Sequence, residues 1–169
     1  MSDAATRLRL AAAPLTATAF APFGDVIEAE GRAHYPINAG TAQRYSDLAK
    51  VDVTAAGGRP LISLLKAEPV ALPLRLRLME RHPLSSQAFI PLSSTPFLVV
   101  VAPPGTLDID RIHAFLSNGH QGVNYRTGTW HHPLVALEQT SEFLIVDRGG
   151  EGDNCDEISL GDREIVVTL

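Results

Sequence analysis

The sequence predicts an all-β chain folded as a jelly roll or barrel with one or two short helices. Three observations carry this. Twelve prolines and thirteen glycines are spread along 169 residues, so turns are frequent and strands short. Some nine or ten strand-like segments lie between those turns, which is the pattern of two packed or closed sheets (roughly eight strands or more). The length, with 45% hydrophobic residues, provides for one sizeable core, so residues 1–169 are expected to form a single domain.

Residues 1–13 read as a loose end or a first edge strand. The stretch from Leu15 closes at the turn Pro22-Phe23-Gly24, and Asp25–Glu28 is a short strand. Residues 29–43, rich in Gly, Pro, Asn and Thr, read as a loop. Gln43 to Val53 holds one or two weak strands, and Leu61–Leu65 is an apolar run. Leu74-Arg-Leu-Arg-Leu78 alternates strictly, as a strand with one buried face does. Ser86–Leu92 is a further strand. Phe97-Leu-Val-Val-Val101, bounded by prolines, reads as a buried one. Asp108 is a plausible N-cap for a short helix reaching Leu116. Gly122–Arg126, Thr129–Leu137, Phe143–Asp147 and Glu164–Thr168 complete the strands, with no repeat or linker between them.

The formal charge is -5, from 14 basic and 19 acidic residues, without a Lys/Arg block. A nucleic-acid partner calls for a positive footprint, and none is visible. An anionic small substrate remains compatible, since one or two pocket arginines can bind a carboxylate. The apolar run Leu10–Ala13 is too short for the core of a leader, and no stretch nears the ~18 apolar residues of a membrane span. A cytoplasmic protein without membrane contact is expected. The one cysteine, Cys155, stands among carboxylates that raise a thiol's pKa, which argues against a nucleophile.

Strand alternation selects the first candidate site. Continuing the count from Leu74, Leu76 and Leu78 places Glu80 and His82 on the leucine face. An acid and a histidine at the end of a core-facing row must be paired, hydrated in a pocket or bound to a metal. The alternative is a register break at Met79, with both residues in a solvated turn. Gln87 opens the next strand, facing the same cavity or serving a loop. The second candidate lies in Gly119–Pro133, the densest polar-aromatic stretch. His131 and His132 point to opposite faces, so one of them at most enters a given pocket. A lone histidine is more often structural than functional, which is the alternative for His131. Arg126 is a candidate carboxylate ligand and Lys66 a candidate pocket cation; each is otherwise a surface residue. Tyr125, in the same stretch, is a further candidate substrate contact. His113 and His120 read as surface residues.

Glu80-Arg-His82 with Gln87, and Gly128-Thr-Trp-His131, resemble the two motifs of the cupin superfamily. They depart from it where Glu80 stands for the first histidine, Gln87 for the motif's acid, and the second motif lacks its proline. The chain is more specifically similar to the ureidoglycolate lyase family. The resemblance rests on Phe20-Ala-Pro-Phe-Gly-Asp-Val-Ile27, Met79-Glu-Arg-His-Pro-Leu84, Ser86-Gln-Ala-Phe-Ile-Pro91 and Phe97–Ala102. Gly122-Val-Asn-Tyr-Arg126, Gly128-Thr-Trp-His-His-Pro-Leu134, Phe143–Arg148 and Asn154-Cys-Asp-Glu157 continue it in family order. It implies a cupin double-stranded β-helix, cleavage of (S)-ureidoglycolate to glyoxylate and urea in allantoin breakdown, and a homodimer. It also implies a divalent metal, nickel in some accounts, for which His82, Gln87, His131 and Glu80 are the available ligands. Glu80, His82 and His131 would then move the reaction's protons, and Arg126 or Lys66 would hold the substrate's carboxylate. The rival readings are another small-molecule cupin enzyme and a non-catalytic ligand-binding cupin.

Overall fold

A computed structural model describes residues 7–169, so the expectation for residues 1–6 lies outside the described residues. In chain order the first strands are β1 (Arg7–Ala11), β2 (Ala13–Pro14), β3 (Gly24–Ile27), β4 (Tyr35–Ile37), β5 (Ala42–Arg44) and β6 (Arg59–Ala67). Next come β7 (Leu74–Arg75), β8 (Leu78–Arg81), β9 (Gln87–Pro91), β10 (Phe97–Ala102), β11 (His113–Leu116) and β12 (Gly122–Tyr125). The last are β13 (Trp130–His131), β14 (Val135–Ala136), β15 (Ser141–Gly149), β16 (Asp156–Ser159) and β17 (Glu164–Thr168). One helical turn, α1 (Ala17–Phe20), is capped by Thr16, whose Oγ1 accepts from Ala19 N at 3.2 Å. Among the described residues, no helix is long and apolar enough to cross a membrane.

The strands form an all-β, cupin-type architecture in layers. A sheet ordered β3-β12-β9-β15-β6 faces one ordered β16-β8-β13-β10-β11-β2, with β14 also paired to β10. The small sheet β1-β17-β7 covers the outer side of the second. β10 shows why all three layers cohere. Phe97, Val99 and Val101 enter the lumen between the two large sheets, against Val26, Phe89, Val123 and Phe143. Leu98, Val100 and Ala102 enter the outer core, against Ile165 and Val167. Every residue of β10 is buried, as its unbroken apolar run predicts.

Several local expectations need correction. The helix expected from Asp108 is a single 3-10 turn, Ile109–Arg111, whose cap Asp108 accepts from Asp110 N; β11 follows directly. Its period was wrong because Ala114 and Phe115 are buried on opposite faces of a strand, in different cores. Residues 29–43 contain most of the hairpin β4–β5. Beyond Arg44, the stretch to Val53 carries no strand. β16 was not foreseen, since its acidic residues disfavour strand assignment.

The leucine row also breaks, although not at Met79. β7 pairs with β17 in the small sheet, whereas β8 pairs with β16 and β13 in the middle sheet. The chain changes layer at Leu76-Arg77 and loses one step of alternation. Leu76 and Met79 are therefore both fully buried in the outer core. A one-residue slip moves every following side chain to the opposite face. Glu80 and His82 consequently face the lumen, as expected, but not on the face that Leu74 and Leu76 share.

Candidate functional site

Glu80 and His131 are cross-strand partners on β8 and β13. On β8, Arg81 takes the opposite face. It donates to Asp156 Oδ2 at 2.8 Å and Gly105 O at 2.9 Å, and its guanidinium lies 4.6 Å from the centre of the Trp130 ring. Pinning Arg81 outward holds Glu80 and His82 inward. On β13, Trp130 takes the outer core and His131 the lumen by the same alternation. From the facing sheet come Gln87 on β9 and Tyr125 on β12, which are register partners. The Tyr125 ring stacks on His131 with centroids 4.4 Å apart, and the His82 and His131 rings are 5.1 Å apart.

The two imidazoles are anchored alike. His82 Nδ1 lies 2.6 Å from Asn154 O, and His131 Nδ1 lies 3.0 Å from Thr129 O. A carbonyl oxygen only accepts, so each Nδ1 donates and each Nε2 is left towards the lumen. His82 Nε2 is 3.1 Å from Gln87 Oε1. His131 Nε2 is 3.3 Å from Glu80 Oε1, yet it is a buried nitrogen without a hydrogen bond, because the contact is badly aligned. Ligand atoms of Glu80, His82 and His131 lie within 4.8 Å of one another. Fixing a histidine through its other ring nitrogen is how proteins orient metal ligands. A buried, unpartnered imidazole nitrogen beside a carboxylate fits a divalent cation.

The contact with His131 holds Glu80 below the ordinary carboxylate range; burial opposes this, and the charges of His131, His82 and His132 add to it. Glu80 is thus an ionised, half-buried proton acceptor at neutral pH. Tyr125 is buried, and burial, then the charge of Glu80, push its phenol well above its usual range, so it stays neutral.

Five of the seven residues singled out in the sequence converge here: Glu80, His82, Gln87, Tyr125 and His131. Arg126 and Lys66 do not. Arg126 follows Tyr125, so its side chain takes the opposite face of the sheet. It donates to Ala21 O at 3.1 Å and borders an outer groove of about 370 Å³ with Asp25, Lys50, Asp52, Ser86 and Asn124. Lys66 is exposed between Leu65 and Ala67, both of which pack against the lumen core. Alternation turns it outward. His113 and His120 are exposed, as expected.

Two contributors were missed. Asn154 holds His82 through its carbonyl. Its side chain also accepts from Leu84 N at 2.8 Å and donates to Ser85 Oγ at 2.9 Å, fastening the turn that follows His82. A backbone carbonyl leaves no mark in residue type. Asp147 Oδ2 accepts from Gln87 Nε2 at 3.3 Å. This acid did carry a signal: it ends the inward row Phe143, Ile145, as Glu80 was thought to end a leucine row.

The family model described as ureidoglycolate lyase matches residues 7–168. Curated relatives named ureidoglycolate lyase align over most of both chains. One from Burkholderia mallei (strain NCTC 10229) is 56% identical over 87% of this chain and 86% of its own length. One from Burkholderia cepacia is 58% identical, with 86% and 83% covered. One from Azotobacter vinelandii is 51% identical, with 89% and 92% covered.

Proposed function

Since the chain belongs to the ureidoglycolate lyase family, we propose that it cleaves (S)-ureidoglycolate to glyoxylate and urea, a carbon–nitrogen lyase step of amidine-lyase type in allantoin breakdown. The observation that carries the reading to a site is the anchoring of His82 and His131 through Nδ1, with both Nε2 atoms turned to the lumen beside ionised Glu80.

Ureidoglycolate is a carbinolamine bearing a carboxylate. Its hydroxyl proton must leave, the C–N bond must break with its electron pair on the urea nitrogen, and that nitrogen must gain a proton as the aldehyde C=O forms. Glu80 is the acceptor for the hydroxyl proton and, once protonated, the donor to the departing nitrogen, so the step balances without other reactants. His82, Gln87 and His131 are the residues that would hold a divalent ion. When bound, such an ion supplies the positive charge for the substrate's carboxylate and favours loss of the hydroxyl proton. That charge has no replacement in Arg126 or Lys66, which lie on outer faces. Tyr125 supports the His131 ring by stacking and gives the pocket a neutral wall.

The reading includes a homodimer, supported by Ile62 and Leu64 on the outer face of edge strand β6, 75% and 73% exposed. The experiment is incubation of purified protein with (S)-ureidoglycolate. Glyoxylate and urea should appear in equal amounts, far above the uncatalysed rate. Ammonia in place of urea, or no acceleration, would overturn the reading. Chelation should lower the rate, and added nickel(II) or another divalent ion should restore it.

A further inference from the structure

We infer that Asp147 is a positioning residue that fixes which end of the Gln87 amide faces the histidine cluster, and so completes a cation site. The inference rests on the metal reading above. A glutamine side chain carries two donor hydrogens at one end and an acceptor oxygen at the other, similar in shape, and its neighbours decide its orientation. Around Gln87 the deciding neighbour is the Asp147 carboxylate, which accepts the amide nitrogen at 3.3 Å. The reverse orientation would set the amide oxygen against that carboxylate. Gln87 Oε1 is therefore turned to His82 Nε2, 3.1 Å away.

The consequence is chemical. With the oxygen inward, the lumen presents a Glu80 carboxylate oxygen, two imidazole Nε2 atoms and an amide oxygen, all electron-pair donors. With the nitrogen inward, Gln87 would present hydrogens to the same space and repel a cation. β15 makes Asp147 fit for this role. Asp147 is paired to Leu61 of β6, and the β15–β9 ladder reaches Val146 just before it, so the carboxylate stands on a strand held at and beside its own position. Asp147 does not touch the cluster and acts only through Gln87.

The test is nickel(II) titration by calorimetry of chelator-stripped protein, with far-ultraviolet circular dichroism to confirm folding. Asp147→Ala should weaken nickel binding about 10- to 100-fold, the usual cost of removing a residue that supports a metal ligand. Asp147→Asn, the more conservative change, should weaken it less. The discriminating variant is Asp147→Ala combined with Gln87→Glu. A carboxylate offers an oxygen in either orientation, so nickel affinity should return to that of Gln87→Glu alone. A merely structural loss at Asp147 would persist in the Gln87→Glu background. Wild-type affinity in both single variants, or no recovery in the double variant, overturns the inference and leaves the metal reading standing. Absence of nickel binding by the wild-type protein overturns both.

Discussion

At the scale of single residues, the site's chemistry follows from which nitrogen each imidazole has already used. With Nδ1 of His82 and His131 committed to Asn154 O and Thr129 O, it is Nε2 of each ring that faces the lumen. Glu80, kept ionised chiefly by its contact with His131, is the group free to move a proton. Glu80→Gln preserves shape but removes the acceptor, and should lower kcat about 10²- to 10⁴-fold, the usual range for a positioned acid or base. His82→Ala should lose turnover to a similar extent, and metal affinity as well, while Glu80→Gln, which still turns an amide oxygen to the cluster, loses less of that affinity. Steady-state kinetics alongside nickel titration separates the two, and full activity in both variants would sink the assignment. Cys155 gives the opposite case. Partial burial, then the carboxylates of Glu80, Glu157 and Asp156, raise its thiol above the ordinary 9.0. The upward direction and the neighbours Asp156 and Glu157 were legible in the sequence, whereas burial, the larger cause, and Glu80 were not. Because the thiolate is the reactive form, alkylation should be slow at pH 7 and accelerate only above about pH 9. Cys155→Ser should turn over like wild type.

Strands place these residues, and small breaks in strand geometry decide where they point. Gly24 has φ +154°, and a Cβ there would stand 1.9 Å from Asn124 O, on the strand that β3 pairs with. Gly24→Ala must push β3 from β12 at the position opposite Tyr125, the ring that supports His131. A loss of about 3 kcal/mol in denaturant unfolding is expected, with lower kcat in the folded fraction. An unchanged midpoint would show that β3 shifts freely. The same scale sets what could be read from sequence. β10 was legible because both its faces are apolar. Glu80 and His82 were found by extending a leucine row that in fact crosses from one sheet to another at Leu76-Arg77; the slip left them facing the lumen all the same. Arg126 was misplaced although parity was available: it directly follows Tyr125, and neighbours on one strand cannot share a pocket. The Asn154 carbonyl was beyond reach, since any residue type supplies one.

Across the whole molecule, the unbalanced feature is β6. Among the described residues this nine-residue strand pairs only with β15, which leaves its other backbone edge open. Edges of that length are normally shortened, charged or covered. Here the ends carry Arg59 and Lys66, but Ile62 and Leu64 between them stand on the outer face, three-quarters and nearly three-quarters exposed. Two adjacent aliphatics on a rigid sheet, flanked by charge, suit a two-fold contact in which the same patch meets itself. The proposed homodimer is therefore placed on this face. Ile62→Asp with Leu64→Asp should shift sedimentation from dimer to monomer by setting like charges against each other across the axis. Glu80, His82, Gln87 and His131 all come from one chain, and neither Ile62 nor Leu64 faces their lumen. The monomer should accordingly keep wild-type kcat and nickel affinity. A monomeric wild type would overturn the dimer, whereas a monomeric variant that loses activity in proportion would mean that the second copy contributes to the lumen after all.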